Sequence, residues 1–327
     1  MLVCPGCRRL VRSSRLTALV ADAEAAVARS DLSTAMGLYR DALTLLPPDT
    51  AQYQRLAQRI SALGEKVDAG APTLSGRAKP TGSNGRTWGF ASLGVLLLSL
   101  LSKGKLLLYG LANAQVLLTM LLAASVYWAV WKWYFAAGLV ACIYVHEMGH
   151  VFMLRRYGMK ASAPMFIPGL GALIRLTQSP VDVREDARIG LAGPEWGLAA
   201  SLAFLLAGVI TNHLNGPGDA CLAIAKVNAW INLFNLTPFW TLDGGRAFRA
   251  IAKPARALLI ALITALYFTT GLLEEGHREG LLLLIAIAAI LRLFERNTPT
   301  TTLKTALLRY ALLATSLTAL TLLPVRT

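Results

Sequence analysis

His146-Glu147-Met148-Gly149-His150 places two imidazoles four residues apart, with a carboxylate beside the first. On a helix, residues four apart share a face, so His146 and His150 can direct two nitrogens at one metal ion. Glu147 can hold an attacking water there without being a ligand itself. A short pattern also arises by chance, and two hydrogen-bonded core histidines are the plain alternative. The setting argues for chemistry. The run from Trp133 to Leu154 is otherwise almost uncharged, and ionisable groups within a membrane-length apolar helix mark function by default.

Two histidines leave a metal under-coordinated. The candidate third ligand is Asp243, in Asn235-Leu236-Thr237-Pro238-Phe239-Trp240-Thr241-Leu242-Asp243-Gly244-Gly245-Arg246. It follows an apolar helix and a Pro break, and the glycines behind it allow backbone to approach closely. Zinc held by two His and one carboxylate keeps its fourth position for water, which is a hydrolytic arrangement. A divalent ion with Asp243 and Glu147 ionised sums to zero charge, which lowers the cost of burying the site. Asn228, Asn232 and Asn235 form one polar stripe on the helix leading there. For Asn228 and Asn232, glue between helices and substrate contact stand level; Asn235, abutting the Pro break, is read as functional. His213 and His277 sit near the opposite ends of their spans. Cys142 and Cys221 fall in apolar runs and read as buried packing residues.

The elements that must position these groups are membrane helices. The chain has 327 residues, 55% hydrophobic and 15% charged, with a positive mean hydropathy. That composition predicts an all-α polytopic membrane protein of about six to seven transmembrane helices. The net charge of +14 does not point to nucleic acid, because the basic residues gather where apolar runs end. Predicted spans are Leu106 to Trp131, Trp133 to Leu154, a helix opening at Gly193-Pro194-Glu195, Cys221 to Leu236, and three weaker runs beyond Ala257. Glu195 is read as an acid in a first helical turn, complementing the helix dipole. Trp88 to Leu101 reads as interfacial or re-entrant. The Pro- and Gly-rich stretch from Lys160 to Asp186 is expected to be non-helical and re-entrant, lying against protein or lining a cavity. It could offer an extended edge that a substrate strand joins.

Ahead of the membrane domain (88–327, core 106–256) lie a Gly/Pro/Ser-rich linker (70–87) and a small helical region (1–69). Part of that region is similar to a single tetratricopeptide unit, which cannot bury its own apolar face and so packs on itself or on a partner. Cys4-Pro5-Gly6-Cys7 is half of a zinc knuckle with no second pair nearby. The opening residues lack the apolar core of a signal peptide. Basic residues concentrate on one side of the spans, among them Arg155, Arg156, Arg246, Arg249, Arg292 and Arg296. This predicts a cytosolic N-terminus. His150 then lies about 8 Å, and His146 about 14 Å, below the cytosolic end of its helix.

His146-Glu147-Met148-Gly149-His150, Ala192-Gly193-Pro194, and Asn235-Leu236-Thr237-Pro238 through Leu242-Asp243-Gly244-Gly245 together resemble the site-2 protease family of intramembrane zinc metalloproteases. The resemblance covers roughly Leu106 to Arg256. It implies one catalytic Zn2+ held by His146, His150 and Asp243, with Glu147 as general base and Asn235 holding substrate or the oxyanion. The expected activity is endopeptidase cleavage of transmembrane or membrane-anchored proteins, with the bilayer as surroundings and the bacterial inner membrane as location. The helical N-terminal region is a candidate site for a protein partner, and a second copy of the chain is another candidate partner. The chain departs from many family members in having no stretch readable as a PDZ domain. A non-catalytic scaffold and an ion transporter relaying through His146, Glu147 and Asp243 are the alternatives.

Overall fold

Capping and periodicity divide the chain into helices joined by short turns. The computed structural model describes residues 13–70, 108, 111–168, 171–174, 177–214, 218–239, 242–273, 279–296 and 298–324. Cys4, Cys7, the 70–87 linker beyond Gly70, and the Trp88 to Leu101 run lie outside them. The described residues fall into two compact units.

The first unit holds α1 (Ser13–Ala28), α2 (Leu32–Leu43), α3 (Ala51–Ala69) and the segment Arg155–Lys160. Asp31 and Thr50 cap α2 and α3 by accepting the amides of Thr34 and Tyr53, each cap being worth about 1 kcal/mol. Ala23, Ala26, Ala35 and Ala42 are buried where the helices meet, with Met36, Tyr39, Ile60 and Leu63 filling the space between. Tyr157 completes this core and donates its hydroxyl to Asp68 at 2.8 Å, while Arg40 Nε donates to the Tyr157 carbonyl at 3.2 Å.

One carboxylate ties the three helices of this unit. Glu24 accepts the Tyr39 hydroxyl at 2.7 Å and the Arg59 guanidinium at 2.6 and 2.9 Å. The Tyr39 hydrogen bond, with help from Arg59, holds the Glu24 carboxyl below its ordinary range. A depressed folded pKa gives stability that is complete above the ordinary carboxylate range and is lost as pH falls through it. The unit is therefore expected to lose part of its helical signal as pH falls below the ordinary carboxylate range. Glu24→Gln should flatten that part of the acid titration read by circular dichroism, and an unchanged titration would exclude this contact as its source.

The second unit runs through α4 (Ala114–Val130), α5 (Trp133–Arg156), β1 (Met165–Ile167), β2 (Gly171–Leu173), α6 (Val183–His213), α7 (Gly218–Asn235), α8 (Asp243–Phe248), α9 (Lys253–Leu273), α10 (Gly280–Leu291), a 3-10 turn (Arg292–Phe294) and α11 (Lys304–Thr321). The unit starts at Ala114 and omits Arg155–Lys160. Among the described residues, α5, α6 and α9 are long and apolar enough to cross a membrane, and α4 and the α10 segment are shorter apolar helices. Helix α5 is the central one: 72% of its apolar window is buried, against 28% for α6 and 22% for α9. The outer helices turn Leu118, Leu121, Leu206, Leu258, Phe268 and Leu312 outward. Apolar surface of that kind suits acyl chains, and the chain is an integral membrane protein.

Two expectations need correction. Helix α6 opens at Val183, ten residues before Gly193, so Val183 to Asp186 are helical and Pro194 lies inside the helix. Asp182 accepts the Glu185 amide at 2.8 Å and Glu185 reaches back to the Val181 amide at 3.1 Å, a reciprocal cap that starts the helix early. Glu195 is consequently mid-helix, where Arg309 of α11 pairs with it at 3.1 Å. In the non-helical stretch, β1 and β2 pair as an antiparallel hairpin with Phe166 opposite Ala172. Phe166 is buried and stacks on Tyr144 of α5.

Candidate metal centre

The central helix α5 puts His146 and His150 on one face, as their spacing requires. Helix α8 brings Asp243 to them. His146 Nε2 and His150 Nε2 are 3.2 Å apart, and Asp243 Oδ2 is 3.2 Å from the first and 3.3 Å from the second. His146 and His150 are buried and Asp243 is partly buried. Two imidazole nitrogens and a carboxylate oxygen so close together form a donor set for a cation. Zinc bound at about 2.0–2.1 Å in tetrahedral geometry separates its ligands by about 3.3 Å. The triangle fits zinc.

The remaining ring nitrogens set the tautomers. His146 Nδ1 donates to Asn232 Oδ1 at 2.7 Å, and His150 Nδ1 donates to the Ile189 carbonyl at 2.8 Å. With Nδ1 protonated in both rings, the Nε2 lone pairs are left to face the ion. Asn232 is itself oriented, since its amide donates to the Asn228 carbonyl at 2.8 Å and to Asn228 Oδ1 at 3.0 Å. Asn228 in turn donates to the Gly197 carbonyl and to Ser201 Oγ. The asparagine stripe thus links α7 to α6 and holds His146 in orientation, a role that neither glue nor substrate contact describes in full. Glu147 is buried beside His146. Asn235 is the last residue of α7, half-buried, and makes no hydrogen bond to the three donors among the described residues.

Room for the two rings comes from α6. A Cβ at Gly193 would sit 2.3 Å from His150 Nε2 and 2.6 Å from His146 Nε2. This position is as much part of the centre as the donors are, and the sequence signals it only as a glycine before Pro194. On the far side of α8, Arg246 Nε donates to Asp186 Oδ1 at 2.8 Å, tying α8 to the first turn of α6. Cys142, one turn before His146, is buried and is not among the grouped donors.

Fold and centre together define a class: a helical membrane protein with a His-His-Asp group that could hold a metal ion. Residues 134–215, about a quarter of the chain, match the model of peptidase family M50, and this part of the chain is similar to the site-2 proteases. Similar curated proteins are the zinc metalloprotease MJ0392 of Methanocaldococcus jannaschii, 28% identical over 128 residues, and Rip3 of Mycobacterium tuberculosis, a candidate zinc metalloprotease, 36% identical over 135 residues. These alignments cover 39% and 38% of this chain, and only 35% and 33% of those two relatives. No solved structure matches the chain at a significant level. The family segment contains His146, Glu147, His150 and Gly193 but ends before Asp243.

Proposed function

We propose that the chain is a zinc-dependent intramembrane endopeptidase that hydrolyses transmembrane or membrane-anchored proteins, as in regulated intramembrane proteolysis. The observation that carries this reading is the convergence of His146, His150 and Asp243 from two elements almost a hundred residues apart. The relatives' names as zinc metalloproteases support it. His146, His150 and Asp243 hold one Zn2+ through Nε2, Nε2 and a carboxylate oxygen. Zinc in such a site lowers the pKa of its water to about 7 and polarises a carbonyl. Glu147 is the general base: its carboxylate takes the water proton and hands it to the leaving nitrogen.

Asn235 is assigned to holding the substrate backbone or the oxyanion. A substrate helix has its carbonyls bonded internally and must unwind to be cut. The β1–β2 hairpin supports an extended substrate by adding a third strand. Helices α4 to α7 and α9 to α11 would make the six to seven spans, with the hairpin as the re-entrant segment. A cytosolic N-terminus in a bacterial inner membrane brings water to the centre by the shorter route. The N-terminal helical unit is assigned to a protein partner or to a second copy of the chain.

The test is zinc analysis of the purified chain together with cleavage of a model transmembrane substrate, comparing wild type with Asp243→Ala. Wild type should carry one zinc and cleave; Asp243→Ala should lose most of the zinc and all cleavage. A wild-type protein without tightly bound zinc would favour a transport relay, and cleavage surviving in Asp243→Ala would sink the ligand assignment.

A further inference from the structure

Helix α8 is six residues long and its N-cap residue, Leu242, offers no side-chain hydrogen bond. A helix of that length does not hold itself in place. Its first residue must nonetheless keep a carboxylate oxygen about 3.2 Å from each of two imidazole nitrogens. Something outside α8 must fix it.

The C-terminal end is held by Arg256, from the first turn of α9, whose side chain is fully buried. Its Nη2 donates to the Phe248 carbonyl at 2.9 Å, alongside the Ile251 amide at 3.2 Å, and its Nε donates to the Ile251 carbonyl at 2.8 Å in the turn that follows the helix. Its Nη1 donates to the Arg292 carbonyl at 2.6 Å and to Glu295 Oε2 at 3.1 Å, which ties the end of α8 to the turn after α10. The guanidinium also lies over the Phe248 ring, 5.5 Å from its centroid. Three donor directions are used at once, and a lysine cannot reproduce them.

The N-terminal end is held through Tyr310 of α11. Its hydroxyl donates to the Leu236 carbonyl, while its ring reaches the other end of α8 and meets Phe248 edge to face at 5.4 Å. That carbonyl presses on the residue after Asp243: a Cβ at Gly244 would sit 1.9 Å from the Leu236 oxygen. The Leu236 oxygen is therefore lodged between the Tyr310 hydroxyl and the Gly244 α-carbon. Neither Arg256 nor Tyr310 touches a donor atom of the metal centre.

We propose that Arg256 and Tyr310 are positioning residues for Asp243, clamping α8 at its two ends so that the carboxylate is preset for the ion. This rests on the reading of Asp243 as a zinc ligand. Outer partners that orient a ligand typically change metal affinity by about 10- to 100-fold when removed, and that is the effect expected here. The experiment compares full-length wild type, Tyr310→Phe, Arg256→Lys and Arg256→Met in detergent. It measures the zinc dissociation constant by chelator competition and the melting temperature on the same samples, then kcat and KM at saturating zinc.

Tyr310→Phe removes one hydroxyl and keeps the ring against Phe248. It should weaken zinc by about tenfold with little change in melting, and lower kcat while leaving KM unchanged. Arg256→Lys should not rescue Arg256→Met, because one ammonium cannot serve carbonyls in divergent directions. A zinc constant unchanged in Tyr310→Phe overturns the proposal, including the case in which melting alone falls, since that describes a purely structural contact. Should the Arg256 variants fail to fold, Tyr310→Phe decides by itself. The proposed function is tested separately, because it fails when the wild type binds no zinc, whereas the clamp fails only when the wild type binds zinc and Tyr310→Phe binds it equally well.

Discussion

Glu147→Gln is expected to keep zinc at the wild-type stoichiometry while cleavage falls by roughly 100- to 10,000-fold, the range that a positioned general base supplies. Glu147 is buried on α5 beside His146 and is not one of the three clustered donors. Glutamine has nearly the same volume and keeps a carbonyl oxygen, so the packing around α5 has little reason to change. What it loses is the capacity to accept a proton from water and return it to the leaving nitrogen. The measurement pairs metal analysis with cleavage of a model transmembrane substrate. Full activity with bound zinc would remove Glu147 from the mechanism. Loss of zinc along with activity would make it part of the coordination instead.

The histidine pair and Asp243 could be read from the chain for different physical reasons. Four-residue spacing puts His146 and His150 on one helical face whatever the rest of the fold does. Asp243 stands out through the Pro238 and Gly244-Gly245 breaks, which mark where an apolar helix stops and backbone can approach closely. The role of Asn232 was not readable, because the polar stripe it belongs to looks the same whether it faces lipid, a neighbouring helix or a ligand. Only the placement of α7 beside α5 turns its amide oxygen toward His146 Nδ1. Arg256 was equally opaque. In sequence it is one more basic residue at the end of a span; in the fold it is wholly enclosed.

The start of α6 lies ahead of the Gly193-Pro194 pair that marks a helix opening in the sequence. Proline is favoured in a first helical turn, and a helix opening there is a fair expectation. The competing signal was Asp182 followed three residues later by Glu185, the sequence form of a reciprocal cap, and it dominates. Pro194 is then tolerated inside α6. Its ring nitrogen has no hydrogen to donate to the carbonyl of Gly190, four residues back. The shift matters for the centre, because it makes Gly193 a mid-helix residue facing the two histidines rather than part of a loose entry turn. The hairpin was half legible: Pro and Gly exclude a helix over that stretch, but the pairing of Phe166 with Ala172 depends on a register those residues do not specify.

Gly193→Ala follows from that correction and is expected to weaken zinc binding severely. The added Cβ would sit 2.3 Å from His150 Nε2 and 2.6 Å from both His146 Nε2 and His150 Cε1, inside the ligand triangle's own space. Neither ring can retreat easily. Each is held by its Nδ1 hydrogen bond, to Asn232 and to the Ile189 carbonyl. Ile189 is on α6 as well, so a withdrawal of that helix would pull His150 with it. Relief therefore requires about 1 Å of backbone movement or a rotated imidazole. Overpacking of this kind costs about 1–3 kcal/mol of stability, and a misplacement of about 1 Å costs on the order of 100-fold in rate. The expected outcome is zinc affinity weakened by about 100-fold and no detectable cleavage, with the chain still folded and membrane-embedded. Gly280→Ala is the matched control, since a Cβ there meets nothing within 4 Å. If Gly193→Ala binds zinc as tightly as Gly280→Ala, the imidazoles do not stand where α6 confines them, and the centre must be built around a different approach of α6 to α5.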